Sequence, residues 1–342
     1  MNDIKSMTME ELEEIILSMG EKKYRAKQIY KWLHKELADD YDAMSDLSKN
    51  LRGQLSEKYP IYGVREIKHL ESEKDGTVKY LFALHDDNVI ESVLMRYKHG
   101  NSVCISSQVG CNMGCKFCAS TVAGCVRSLT PSEMLSQIYA IQKDCGERVS
   151  NVVVMGSGEP LDNYDALLRF VKMLTDENGL NISQRNITVS TCGLVPKIRA
   201  LADEQLQITL AISLHAPNDE KRRELMPVAK VYSIDELMDA CRYYFDRTGR
   251  RVTFEYALVA GNNDGEKDAA QLCALLKGMG AHVNLIPVNP VTESNLKRPD
   301  MKNCERFRDR LLKGHVNATI RRELGSDVNA ACGQLRRSHL NL

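Results

Sequence analysis

The sequence predicts an α/β fold: a partial (βα)6 barrel, preceded by a small helical N-terminal domain and a β-hairpin-containing connector. Three observations carry this. From residue 102 onward short apolar runs alternate with helix-like runs, which is the rhythm of a parallel sheet covered by helices. Six such runs close only part of an eight-unit barrel. Before them stand about sixty residues with apolar positions at helical spacing, then a stretch that alternates as strands do.

Taken in order, Met9-Glu-Glu-Leu-Glu-Glu-Ile-Ile-Leu-Ser-Met puts its apolar residues on one helical face and stops at Gly20. A second helix is expected over 24–37. Tyr59-Pro-Ile-Tyr-Gly ends this part, because proline fixes φ and offers no N–H. Residues 79–84 and 89–95 read as a pair of strands. Barrel strands are predicted at 103–107, 152–155, 187–190, 208–214, 252–258 and 283–287, with helices at 131–144, 164–175, 234–247 and 266–278. The expected organisation is a helical accessory domain over 1–60, a β connector over 61–100 and the barrel with a C-terminal loop over 101–342. In such sheets the chemistry stands at the C-terminal ends of the strands.

Composition narrows the function classes. With 46 basic and 46 acidic residues the formal charge is zero, which neither indicates nor excludes a nucleic-acid partner, since a local basic face vanishes in the sum. No apolar stretch approaches a membrane span, and the polar, acidic N-terminus lacks the core of a signal peptide, so a cytoplasmic protein is expected. Eleven scattered cysteines do not suit a secreted disulfide framework. Cys145, Cys241, Cys273 and Cys304 fall in or beside helix-like segments and read as small core hydrophobes.

Gln108-Val-Gly-Cys-Asn-Met-Gly-Cys-Lys-Phe-Cys-Ala holds the spacing C-x₃-C-x₂-C directly after the first barrel strand. Three thiolates on one short loop, Cys111, Cys115 and Cys118, suit three corners of a [4Fe–4S] cubane and leave the fourth iron open to a bound molecule. Gly110 and Gly114 let the loop wrap tightly. A zinc knot would need four ligands in paired spacing, and neither Cys104 nor Cys125 forms the usual second pair.

The later strand ends are polar. Gly156-Ser-Gly-Glu places Glu159 where a carboxylate accepts hydrogen bonds from an ammonium. Ser190-Thr-Cys-Gly, Ser213-Leu-His-Ala and Ile286-Pro-Val-Asn-Pro follow, the last holding Asn289 between two prolines. Near the C-terminus Cys332 stands in a small-residue segment suited to close approach of a ligand, and Cys104 lies on the first barrel strand.

The cysteine triplet after the first strand resembles the radical-SAM superfamily. The wider set of motifs resembles its RNA adenine-C2 methyltransferases, the RlmN type, with Cfr as a C8-methylating relative. C-I-S-S-Q-V-G-C-N-M-G-C-K-F-C, G-S-G-E-P-L-D-N, S-L-H-A-P-N-D, I-P-V-N-P and A-A-C-G-Q-L occur in family order over nearly the whole chain. The resemblance implies a [4Fe–4S] cluster on Cys111, Cys115 and Cys118 and two molecules of S-adenosylmethionine per turnover. It implies that Cys332 carries the transferred methyl, that a 5′-deoxyadenosyl radical activates it, and that Cys104 closes a disulfide with Cys332. Glu91 aligns with the family's proton acceptor, where the residue alone would read as a solvent-facing carboxylate on a strand. Gly158, Glu159, Ser190, Ser213, Leu214, His215 and Asn289 are then expected to line the S-adenosylmethionine site. Two positions depart from the family's pattern: Ser157, where many relatives carry methionine, and Cys192, where serine is frequent. Pro160 favours the C2 enzyme over the C8 relative.

The implied partners are 23S rRNA and tRNA, with an electron donor such as flavodoxin or ferredoxin; a monomer is expected. Residues 22–35 carry six lysine and arginine residues, three of the chain's aromatics and no acid, a helix able to grip phosphates and stack bases or else simply an amphipathic helix with solvated lysines. Arg321-Arg and Arg336-Arg add possible phosphate contacts. The competing readings are C8 methylation of the same RNA, a radical enzyme with a protein or small-molecule substrate, and an RNA-binding scaffold with a structural metal.

Overall fold

Local signals begin the N-terminal helices. In the computed structural model, which describes residues 3–289, 295–330 and 334, α1 (Met9–Ser18) starts at Thr8, whose hydroxyl accepts from Glu11 N–H while Glu11 Oε2 accepts from Thr8 N–H at 2.9 Å. α2 (Tyr24–His34) and α3 (Lys49–Lys58), the latter capped by Ser48, complete the helical part. α2 ends three residues before its expected limit, at His34, as the chain turns through Leu37 at φ 57.

Four antiparallel strands follow as a meander: β1 (Arg65–Glu71), β2 (Val78–Ala83), β3 (Val89–Tyr97) and β4 (Gly100–Ile105). The expected pair at β2 and β3 is therefore the middle of a longer ribbon. A two-stranded hairpin, β5 (Gln108–Gly110) with β6 (Cys125–Ser128), brackets the cysteine triplet. Then comes the βα alternation. α4 (Pro131–Cys145), β7 (Val149–Val154), α5 (Tyr164–Leu174), β8 (Ile187–Thr191), α6 (Val195–Asp203) and β9 (Thr209–Ser213) are followed by α7 (Asp219–Leu225) and α8 (Ile234–Thr248). β10 (Thr253–Leu258), α9 (Glu266–Leu275), β11 (His282–Pro287), α10 (Met301–Lys313) and β12 (Asn317–Ile320) complete it.

All strands but β5 and β6 form one sheet of ten, in the order β1-β2-β3-β4-β7-β8-β9-β10-β11-β12 among the described residues, parallel from β4 onward. The six expected barrel strands are β4 and β7 to β11. β12 is a seventh parallel strand. The meander is continuous with the barrel through β3 and β4, so the sheet extends past the barrel's first strand. Ile29 and Leu33 of α2 share one apolar core with Ile138 of α4 and Val152 of β7, and His34 Nδ1 lies 2.8 Å from the Tyr139 hydroxyl. Among the described residues no helix is long and apolar enough to cross a membrane.

Candidate active site

The register aligns functional residues across the barrel. Val93 on β3 faces Cys104 on β4, which faces Val153 on β7; further round, Ser213, Glu255, Asn284 and Thr319 stand in one row. Side chains alternate along each strand, so these rows line one face of the sheet. At the C-terminal ends of the strands this face opens into a cavity, about 950 Å³ of space with its open mouth included.

One wall of the cavity is the cysteine loop. Gly110 ends β5 at φ +81, where a side chain would meet the Gly124 carbonyl at 1.9 Å, so only glycine fits. The β5–β6 hairpin closes the loop: Cys111 N–H donates to Gly124 O at 3.1 Å, and Asn112 Oδ1 accepts from Cys125 N–H at 2.8 Å. Lys116 N–H donates to Leu225 O at 3.0 Å, which ties the loop to the end of α7. Cys111, Cys115 and Cys118 all reach the cavity. Burial pushes the Cys111 thiol up to about 12 and raises that of Cys115. Such thiols are inert alone and surrender their protons to a metal. Three soft donors from one loop on the wall of an open cavity fit a cubane with a vacant corner.

Polar groups from successive strand ends make up the other walls: Gly158 and Glu159 after β7, Ser190 on β8, Ser213 on β9 and His215 just beyond it, and Asn289 after β11. Gly158 turns at φ +110, and a side chain there would lie 2.7 Å from Gln108 Cβ and Ser107 Oγ. Glu159 is buried; its Oε1 accepts from Leu161 N–H at 3.0 Å and its Oε2 from Cys192 N–H at 2.7 Å. Burial raises its carboxyl above the usual range, and these donors oppose the rise. His215 Nδ1 accepts from Ala257 N–H at 2.8 Å, which leaves the proton of the neutral ring on Nε2. Burial holds this ring down to about 3, so it stays neutral, with its edge packed on Phe117. Leu214, expected on the cofactor wall, is fully buried behind it; its N–H donates to Glu255 O and its carbonyl accepts from Arg222 Nε.

Glu91 and Cys104 stand off the cavity rim. Glu91 is buried, against the solvent-facing reading of its sequence context, and pairs with buried Lys79 at 3.2 Å. Two residues along β3 from it, Val93 packs with Met95 and Ala330, and Cys104 packs against that group. The chain up to Ala330 is anchored on the β1–β2 turn: Asp327 Oδ1 accepts from Ser72 Oγ at 2.7 Å, and Asp75 Oδ2 accepts from Gly325 N–H at 3.0 Å. Cys332 and Arg336-Arg337 lie outside the described residues.

Phe117, Thr191, Cys192, Glu255 and Arg321 also line the wall, beyond the residues expected to hold the cofactor. Glu255 interrupts the apolar run of β10, and that was its one trace. It is buried, bonded by Asn284 Nδ2 at 2.9 Å, with Arg321 Nη1 at 3.9 Å. Arg321 therefore turns inward, not toward an outer phosphate. On α2 the reading also changes: Tyr30 and His34 are core, and Trp32 donates to Asp46 Oδ1 at 2.6 Å. Tyr24 is the exposed aromatic there, beside the exposed Lys23, Lys27, Lys31 and Lys35.

Known proteins place this geometry. Residues 105–273 match the model of the Radical SAM superfamily, and residues 2–61 match that of the ribosomal RNA large subunit methyltransferase N-terminal domain. The chain is 58% identical over 337 residues to a probable dual-specificity RNA methyltransferase RlmN of Lachnoclostridium phytofermentans, covering 98% of this chain and 95% of that one. It is 55% identical over 340 residues to the protein of the same name in Clostridium perfringens, covering 99% and 98%. A solved radical SAM methyltransferase from Sphaerobacter thermophilus superposes with a TM-score of 0.94 at 45% identity, covering 98% of this chain and 99% of that one. The chain belongs to the RlmN family of radical SAM RNA methyltransferases.

Proposed function

We propose that this chain methylates carbon 2 of a specific adenosine in 23S rRNA and of adenosine in tRNAs, passing the methyl through Cys332. The observation that carries the reading is the pairing of two sites on one sheet face. The cavity of Cys111, Cys115 and Cys118 opens beside the β3–β4 face, where Glu91 and Cys104 stand and the chain arrives at Ala330, two residues before Cys332.

A cluster held on Cys111, Cys115 and Cys118 would supply the electron that cleaves S-adenosylmethionine to a 5′-deoxyadenosyl radical and would take back the one electron that the radical adduct at carbon 2 must lose. The protein's own residues do the rest. Glu159, Ser190, Ser213, the His215 Nε2–H and Asn289 hold the polar atoms of S-adenosylmethionine, with Gly158 giving its peptide room at the strand end. Cys332 takes a methyl from one molecule as its thiolate, then loses a hydrogen atom from that methyl, and the sulfur-bound CH₂ radical adds to carbon 2. This detour answers the chemistry of carbon 2, which lies between two ring nitrogens and is too electron-poor to attack a sulfonium. Glu91 accepts the carbon-2 proton. Its pairing with Lys79 compensates charge inside the fold, where an unpaired one would be costly. Cys104 then attacks the sulfur of Cys332 as its thiolate; the S–S bond forms as the C–S bond breaks, the electron pair stays on the methylene carbon, and that carbon takes up a proton as methyladenine leaves.

The helical residues 1–60 serve as an RNA-binding accessory domain, with the exposed lysines of α2 meeting phosphates. An external donor such as flavodoxin or ferredoxin supplies the electrons, and the chain acts as a monomer. The adenine edge must be presented from a loop or as a flipped base, since paired RNA hides it. Reconstituted protein incubated with rRNA and tRNA without oxygen is expected to yield 2-methyladenosine on mass spectrometry of the digested RNA. Only 8-methyladenosine would establish the C8 reaction instead, and unmodified RNA alongside cleaved S-adenosylmethionine would point to another substrate.

A further inference from the structure

Arg222 heads the largest side chains that the fold buries completely. It sits on α7, and its hydrogen bonds go to main-chain carbonyls: Nε to Leu214 O at 3.3 Å, and Nη2 to Cys192 O at 2.7 Å and Ser213 O at 3.4 Å. Its Nη1 is buried with no partner. Among the described residues no carboxylate forms an ion pair with it. A guanidinium stays charged even when buried, so this site holds a desolvated cation with no carboxylate bonded to it, Asp219 acting on it only through space. Such a cation favours a further negative charge nearby.

Its neighbours supply the answer. The C-terminal end of α7 accepts the Lys116 N–H of the cysteine loop through Leu225 O. Cys115, Cys192, Leu225 and Met226 form one buried group there. Burial acts most strongly on Arg222, and of the side chains that act on its charge Cys192 and Cys115 come first, with Asp219 next. With the thiols of the loop bound to iron the site behind them is anionic, and it gains a further negative charge on reduction. A fixed cation buried in low dielectric favours the more negative state.

We propose that Arg222 is a positioning residue that places a permanent positive charge behind the cysteine loop, favouring the reduced over the oxidised cluster, while its fork ties together the ends of β8 and β9. This rests on the reading of Cys111, Cys115 and Cys118 as iron ligands. The purely structural alternative is that only the hydrogen bonds to the three carbonyls matter.

Two full-length variants separate charge from hydrogen bonding. Arg222→Gln keeps an amide donor and drops the charge; Arg222→Lys keeps the charge and drops the fork. Each is reconstituted without oxygen, assayed for iron, and titrated potentiometrically with the reduced cluster followed by electron paramagnetic resonance. Expected is wild-type iron in both, with the reduced-to-oxidised ratio at fixed potential falling at least tenfold in Arg222→Gln, a shift of 59 mV for one electron, and less than tenfold in Arg222→Lys. Loss of iron in Arg222→Gln alone would likewise support the charge. The proposal is overturned if Arg222→Gln shifts less than tenfold, if Arg222→Lys shifts tenfold or more, or if neither variant takes up iron. An iron-poor wild type would instead remove the ligand reading beneath it.

Discussion

Cys118→Ala is expected to abolish cleavage of S-adenosylmethionine, lowering its rate at least about a thousandfold, or roughly 4 kcal/mol in activation terms. The cause is arithmetic of ligands. Under the proposed assignment three thiols from one loop hold three irons, and two would leave a second corner unsupported, so the cluster would be lost or degraded. The loop's shape is set by Gly110 and the hairpin bonds, which hold the three thiols in place. Anaerobic iron assay and quantification of 5′-deoxyadenosine would read the effect. Cys273→Ser, whose thiol rests on the carbonyls of Arg310 and Leu311 far along α9, is the matched control and should keep both iron and cleavage. If Cys118→Ala retains full iron and activity, the assignment of the triplet is wrong.

Cys104→Ala has the second large effect, and of a different kind. Chemistry up to addition at carbon 2 needs no thiol at position 104, so S-adenosylmethionine is still cleaved and the carbon–carbon bond between the methylene and the adenine still forms. Release then fails, because a thioether carbon–sulfur bond does not open without a thiolate attacking the sulfur. The variant should therefore accumulate RNA covalently joined to the protein, visible as a retarded band on a denaturing gel, with less than one methyl delivered per chain. The fold should tolerate the change, since Cys104 is only part-buried against Val93, Met95 and Ala330. Full multiple turnover by this variant would show that another group resolves the adduct.

How far the sequence spoke depended on the element. The six barrel strands were legible because each is a short apolar run ending in polar or small residues, the pattern a strand buried on both faces must have. Elements whose stability comes from context were not. β1 reads Arg-Glu-Ile-Lys-His-Leu-Glu and is exposed along most of its length, a charged edge strand held by pairing to β2 alone. α7 is seven residues of mostly charged sequence, with no apolar period to betray it, and β12 has four residues.

The site divides in the same way. The cysteine triplet and the strand-end motifs are local in sequence and were readable as such. Glu91 and Arg222 owe their character to burial, which local sequence does not reveal: Glu91 looks like a solvent carboxylate until Lys79 is seen 3.2 Å away. Tyr30 shows the converse error. Its spacing on a cationic helix suggested a base-stacking ring, yet that face of α2 is the one that packs inward.

In the proposed reaction a methyl group rests on protein sulfur before it reaches RNA. Mass spectrometry of the peptide containing Cys332, from protein purified without oxygen after incubation with S-adenosylmethionine and reductant but no RNA, tests this most directly. A mass increase of one methyl on Cys332, lost once RNA is added, is the predicted result. An unmodified Cys332 in protein that still methylates RNA would contradict it.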